Sequence, residues 1–197
     1  MPDQPPQPLA DYEVLLCLSG GIACYKSADL ASKLIQAGAG VSVAMTDAAC
    51  QFVQPLTFQA LTQRPVFTSM WQSSKDYSAQ HLALTERADL MVIAPATADI
   101  LAKMACGLAD DLVSTLALSA CGACDILAAP AMNTRMFQAP ATQENIARLR
   151  SRGVHLMGPE SGYLACRDVG PGRMAEPADI LEQVTKLLLC KAPKQKK

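Results

Sequence analysis

Five short, mainly apolar runs punctuate this chain, at residues 14–18, 41–45, 89–94, 125–129 and 154–157. Each is too short for a buried helix and is rich in Val, Ile, Leu and Ala, so each reads as a strand covered on both faces. Between them lie stretches with helical spacing. One follows residue 21, with Ala23, Ala31, Leu34 and Ile35 inward and Gly38 as its stop. Others are expected at 46–52, where Thr46 and Asp47 cap, and at 55–61, 97–105, 111–120, 142–152 and 177–189. Alternation of this kind predicts an α/β fold with a single doubly wound parallel sheet, Rossmann-like and of flavodoxin type. Residues 63–80 and the glycine-rich 161–174 lack either period and read as loops. The expected boundaries are a disordered segment at 1–10, one domain at 11–190 and a basic tail at 191–197, read as a frayed end or the start of a linker.

Composition narrows the function classes. Of 197 residues, 18% are charged and the net charge is −1, so no overall field draws the chain onto nucleic acid. No apolar run approaches the roughly 18–20 residues of a membrane span. The first eight residues are Pro-rich and lack the basic start and apolar middle of a signal peptide, so a cytoplasmic protein is expected. Of the eight cysteines, Cys17 and Cys106 lie in apolar runs and read as small buried hydrophobes. Cys121 and Cys124 form a CxxC pair without a second pair or a His at zinc spacing, so they read as packing cysteines in a turn and no metal site is expected.

The marked polar and glycine residues fall where the strands end, which is where open parallel sheets bind ligands. Ser19-Gly20-Gly21 follows the first strand and precedes a helix. Its glycines and the helix N-terminus can cradle a phosphate; the same residues also make a plain tight turn. The stretch is neither GxGxxG nor a P-loop. With no acidic residue closing the second strand, a mononucleotide such as FMN fits better than NAD. After the third strand, Thr97 and Asp99 can bind a ligand or cap the next helix. After the fourth, Pro130-Ala131-Met132-Asn133 offers an amide that can orient a carboxylate or cap a helix. His81 can exchange a proton near neutral pH or be an ordinary surface histidine. His155 reads as structural. Cys166, in a glycine-rich loop beside Arg167 and Arg173, can give a proton or be an incidental exposed thiol.

Taken together these motifs resemble the flavin-containing cysteine decarboxylases. The resemblance rests on Ser19-Gly20-Gly21-Ile22-Ala23, His81-Leu82, residues 94–99, residues 130–133, and Ala165-Cys166-Arg167-Asp168 running into Gly172-Arg173-Met174. It covers residues 11–189 and is closest to the members that decarboxylate 4′-phospho-N-pantothenoylcysteine in coenzyme A biosynthesis. It implies FMN as cofactor, held by Ser19, Gly20, Gly21, Ile22, Thr46, Ala96, Thr97, Ala98, Asp99 and Ala131. It implies His81 and Cys166 as catalytic residues, Cys166 being the proton donor of the final reduction. Asn133 would hold the substrate carboxylate, with Met132, Ala165 and Met174 around the thiol substrate.

The implied chemistry is that of a carboxy-lyase. Oxidation of the thiol to a thioaldehyde creates the electron sink that loss of CO₂ requires, and the resulting enethiol is then reduced. Relatives that stop at the enethiol, decarboxylating a peptide's C-terminal cysteine, need no such acid as Cys166. A non-catalytic flavin-binding regulator is the third alternative, and the presence of His81, Asn133 and Cys166 speaks against it. The resemblance also implies a homotrimer, or an assembly of trimers, with the flavin between subunits. A phosphopantothenoylcysteine synthetase is implied as a fused or separate partner. The chain departs from the family pattern after His81, where an acidic residue and a Trp are usual, and at Arg167, where Gly is usual.

Overall fold

The structure, a computed structural model, describes residues 7–71, 80–165 and 167–195. Strand β1 (Glu13–Leu18) leads into helix α1 (Cys24–Gln36), β2 (Gly40–Met45), the short α2 (Asp47–Cys50), α3 (Pro55–Thr62) and β3 (Val66–Phe67). Then come α4 (Gln80–Arg87), β4 (Leu90–Ala96), α5 (Ala98–Cys106), α6 (Leu112–Ser119), β5 (Asp125–Pro130), α7 (Thr134–Gln138), α8 (Pro140–Ser151) and β6 (His155–Leu156). The hairpin β7 (Glu160–Tyr163) and β8 (Val169–Arg173) precedes the last helix, α9 (Pro177–Leu189).

Six strands form one parallel sheet in the order β3-β2-β1-β4-β5-β6, the expected doubly wound fold. The chain leaves β1 in opposite directions, towards β2 on one side and β4 on the other. The switch point of the sheet therefore lies between β1 and β4, and a crevice is expected outside their carboxyl ends.

Side-chain alternation along β1 builds the two layers. Val14, Leu16 and Leu18 face a core shared with α1, α3 and α9, while Leu15 and Cys17 face α5, α6 and α8. Helix α1 buries Cys24, Ser27, Leu30, Ala31 and Leu34, an i, i+3, i+4 stripe that covers one face of the sheet.

Several sequence expectations are corrected. Residues 63–80 contain a two-residue edge strand, β3, paired to β2, and α4 begins at Gln80. The expected loop at 161–174 is largely the antiparallel β7/β8 hairpin. Pro130-Ala131-Met132-Asn133 is followed by a five-residue helix, α7, that sequence period could not reveal. Cys17 is fully buried, whereas Cys106 is exposed at the end of α5. Cys121 is also exposed, Cys124 is half-buried, and both lie in the turn after α6. Among the described residues no group of His, Cys, Asp and Glu is placed to hold a metal, and no helix is long and apolar enough to cross a membrane.

Contacts extend to both ends of the described chain. Leu9 is fully buried and its N–H donates to the Ala37 carbonyl at 2.9 Å. At the far end, the Lys191 carbonyl accepts from the Tyr12 hydroxyl at 2.7 Å.

Candidate functional site

A cleft of about 1090 Å³ opens at the carboxyl ends of the central strands. Its floor is set by Ser19, the residue that follows β1. The buried Ser19 hydroxyl donates to the Pro95 carbonyl at 2.8 Å and accepts the Thr97 N–H at 3.0 Å. It also lies 3.0 Å from the Thr97 hydroxyl. These bonds tie the end of β1 to the end of β4 across the switch point.

The turn that follows is forced to be glycine. A Cβ on Gly20 would sit 2.4 Å from the Ala48 Cβ and 2.8 Å from the Ala48 carbonyl carbon, so α2 approaches the bare backbone. The N-cap of α1, Ala23, has no side chain able to cap, and the first turn of α1 holds no acidic residue. By contrast Thr46, Thr97, Asp111 and Asn133 cap α2, α5, α6 and α7 with their own oxygens. The N–H groups of Gly20, Gly21 and Ile22 make no hydrogen bond to any described residue. Unpaired donors, a bare backbone and a helix dipole together fit a phosphate monoester.

Across the cleft lies the loop after β5. Asn133 Oδ1 accepts the Arg135 N–H at 2.8 Å and so starts α7. The Met132 N–H donates to the Gly172 carbonyl at 2.9 Å, which fastens the β7/β8 hairpin to this loop.

Three cations on the cleft wall, Lys26, Arg173 and Lys103, are paired within the protein. Lys26 is buried in α1 and donates to Glu176 Oε1 at 2.9 Å and to the Met174 carbonyl at 3.2 Å. Glu176 also receives Arg173, and the bond from Lys26, followed by that from Arg173, holds its carboxyl below the usual range. Lys103 reaches Asp111 at 2.8 Å, Asp110 at 3.0 Å and Asp99 at 3.4 Å, and the hydrogen bond to Asp111 raises its pKa. An apolar part of the wall includes Ile22, Tyr25, Met132, Met136, Tyr163 and Leu164. Ile22, Tyr25, Met136 and Tyr163 are each at least half exposed.

Of the residues singled out from sequence, the cleft brings together Ser19, Gly20, Gly21, Ile22, Thr46, Thr97, Ala98, Asp99, Ala131, Met132, Asn133, Ala165 and Met174. Ala96 is fully buried behind the wall. His81 belongs to the first turn of α4, but its side chain lies outside the described residues, and so does Cys166. Sequence reasoning missed Tyr25, Lys26, Lys103, Asp111, Met136 and Tyr163. Helical spacing already placed Tyr25 and Lys26 one turn beyond the glycines, but only the fold brings Glu176 to Lys26.

Comparison with known proteins gives the family. The model of the family described as Flavoprotein matches residues 3–189. The coenzyme A biosynthesis bifunctional protein CoaBC of Vibrio parahaemolyticus is 47% identical over 175 residues, 89% of this chain and 43% of that protein. This chain thus spans less than half the length of that relative. A probable phosphopantothenoylcysteine decarboxylase of Streptococcus mutans is 42% identical over 176 residues, covering 89% of this chain and 98% of that one. Among solved structures, a Cys-to-Ser mutant of PPC decarboxylase complexed with pantothenoylaminoethenethiol superposes with a TM-score of 0.84 at 31% identity, over 92% of this chain and 100% of that one. The FMN binding protein AtHal3 superposes with a TM-score of 0.81 at 32% identity, over 92% of this chain and 99% of that one.

Proposed function

The chain belongs to the Flavoprotein family, and on that premise we propose that it is an FMN-dependent decarboxylase of 4′-phospho-N-pantothenoylcysteine, yielding 4′-phosphopantetheine and CO₂ in coenzyme A biosynthesis. The observation that carries this reading is the pairing, in one cleft, of the uncapped α1 N-terminus with the Asn133 loop opposite. The first suits the phosphate of a flavin mononucleotide; the second suits a substrate carboxylate.

In this reading the N–H groups of Gly20, Gly21 and Ile22 hold the cofactor phosphate, and Thr46, Thr97, Ala98, Asp99 and Ala131 line the rest of its site. When bound, FMN supplies a reversible two-electron sink for the thiol-bearing carbon. Asn133 orients the carboxylate through its side-chain amide. His81 exchanges the proton that accompanies oxidation of the thiol. Cys166 delivers the proton that completes the saturated product. Met132, Ala165 and Met174 pack on the pantothenoyl portion. Lys26 and Arg173 on Glu176, with Lys103 on Asp99, Asp110 and Asp111, set three cations against four carboxylates and leave the wall without excess positive charge, so the substrate carboxylate is directed to Asn133.

A homotrimer, or an assembly of trimers, accounts for the exposed apolar rim at Ile22, Tyr25, Met136 and Tyr163, which a neighbouring subunit would cover. The substrate would come from a phosphopantothenoylcysteine synthetase, fused or separate, in the cytoplasm. The deciding experiment is product mass spectrometry with the phosphopantothenoyl substrate beside a peptide ending in cysteine. Saturated product from the first alone supports the proposal; an enethiol from the peptide, or no CO₂ from either, overturns it. His81→Asn should stop CO₂ release with flavin still bound, and Cys166→Ser should leave the product at the enethiol stage.

A further inference from the structure

The amino edge of the sheet, remote from the cleft, carries a second constellation. Residues 191–195 lie across it. Tyr12 donates to the Lys191 carbonyl at 2.7 Å, and Lys191 pairs with Asp125. The Lys194 N–H donates to Asp89 Oδ1 at 2.7 Å, while Asp89 Oδ2 takes the Glu13 N–H at 2.7 Å. So anchored, the Lys194 ammonium reaches the carbonyls of Ala88 at 2.5 Å, Glu86 at 3.0 Å and Thr85 at 3.4 Å. These carbonyls lie at and just beyond the C-terminal end of α4, where the helix dipole is negative. Arg87, in the last turn of the same helix, is tied to Glu13 at 2.9 Å.

Helix α4 has eight residues and is too short to persist without tertiary anchors. Because it leads into a parallel strand, it runs from the cleft edge to the amino edge. His81 stands in its first turn, and Lys194 grips its last. At 1.5 Å per residue, His81 and Arg87 are roughly 9 Å apart along the axis. A rigid rod held at one end sets the position of the other, and release of the lysine frees the helix to tilt or fray.

We infer that residues 191–195 clamp α4, and that Lys194 is a positioning residue for the proposed decarboxylation, acting through the helix that presents His81. The inference rests on the role proposed for His81. Its test uses Lys194→Met, which keeps the stem and removes the charge, with Lys194→Arg as the conservative control. Two readouts are taken: hydrogen–deuterium exchange over 80–88, and steady-state CO₂ release at fixed flavin occupancy.

In Lys194→Met, exchange over 80–88 should quicken and kcat should fall roughly three- to tenfold, with KM and flavin content within about twofold of the parent protein. Lys194→Arg should restore both. Unchanged exchange removes the clamp, and unchanged kcat removes the positioning role. An equal loss of kcat, flavin and thermal stability identifies general destabilisation and also overturns it. If His81→Asn retains full activity, the reading of His81 fails and the positioning role with it, whereas the exchange result still tests the clamp.

Discussion

Met132 and Gly172 meet backbone to backbone: the Met132 N–H donates to the Gly172 carbonyl at 2.9 Å, and a Cβ on Gly172 would stand 2.1 Å from the Met132 oxygen. No side chain fits this crossing, and the φ of +152° at Gly172 is one that other residues rarely adopt. Gly172→Ala should therefore push the β7/β8 hairpin off the loop after β5. The expected outcome is a loss of about 2 kcal/mol or more in thermal unfolding and a marked rise in KM for the thiol substrate, with flavin retained. Parallel melting and kinetic measurements check this; a parent-like KM removes the proposed hairpin contribution to substrate binding.

The glycine cradle makes a complementary prediction on the cofactor side. Gly20→Ala drives its Cβ into Ala48, backbone included, so α2 and the turn must separate. Purified parent protein should be yellow, and this variant should lose its flavin absorbance on gel filtration while keeping its far-ultraviolet circular dichroism. A variant that holds flavin as tightly as the parent would show that the N-terminus of α1 does not receive the phosphate.

Ser19→Ala tests the tie across the switch point. It strips the partner from the Thr97 N–H and breaks the bond to Pro95 in a buried setting. An unsatisfied buried donor costs about 1–3 kcal/mol, and chemical denaturation should report a loss of that size.

The Glu13 carboxylate sets an acid limit on stability. Burial pushes Glu13 up, but hydrogen bonds from Arg64 and Arg87 outweigh this and hold it below its ordinary value of 4.5. A carboxylate lowered by folding contributes stability that is fully present above its unfolded value and is lost as pH falls through its folded value. Denaturant midpoints should thus be level above about pH 5 and decline below it. Glu13→Gln should flatten that decline and cost about 2 kcal/mol at neutral pH, since both arginines still reach solvent.

Arg167 offers the opposite sign. Its φ of 69° lies in the left-handed region, where a residue with a side chain is strained and glycine is not. Arg167→Gly should raise the melting temperature, by about 1 kcal/mol in free energy, because the strain of a side chain there is removed.

Much of this molecule is legible in its sequence. The strands Glu13–Leu18 and Leu90–Ala96 are buried throughout because both faces of a parallel strand are covered, and the apolar runs that signal this are local. Likewise Ser19, Thr97 and Asn133 stand at strand ends; Ser19 is readable as part of a phosphate cradle or a tight turn, and Thr97 and Asn133 as ligand contacts or helix caps, and the structure gives Thr97 and Asn133 the capping bond while keeping them in the cleft.

Other features depended on distance along the chain. β7 and β8, reading Glu-Ser-Gly-Tyr and Val-Gly-Pro-Gly-Arg, carry no alternation, so they exist as strands only because they pair with each other and with the Met132 loop. Lys26 is buried in the wall only because Glu176, 150 residues on, comes to meet it. Periodicity and turn chemistry are properties of neighbours, and they determined five of the sheet's strands, most of its helices and the loops that end those strands, though not β3, α4 or α7. Which charges are cancelled, which loop is locked and what holds α4 are properties of groups far apart in sequence, and only closure of the tertiary structure decided them.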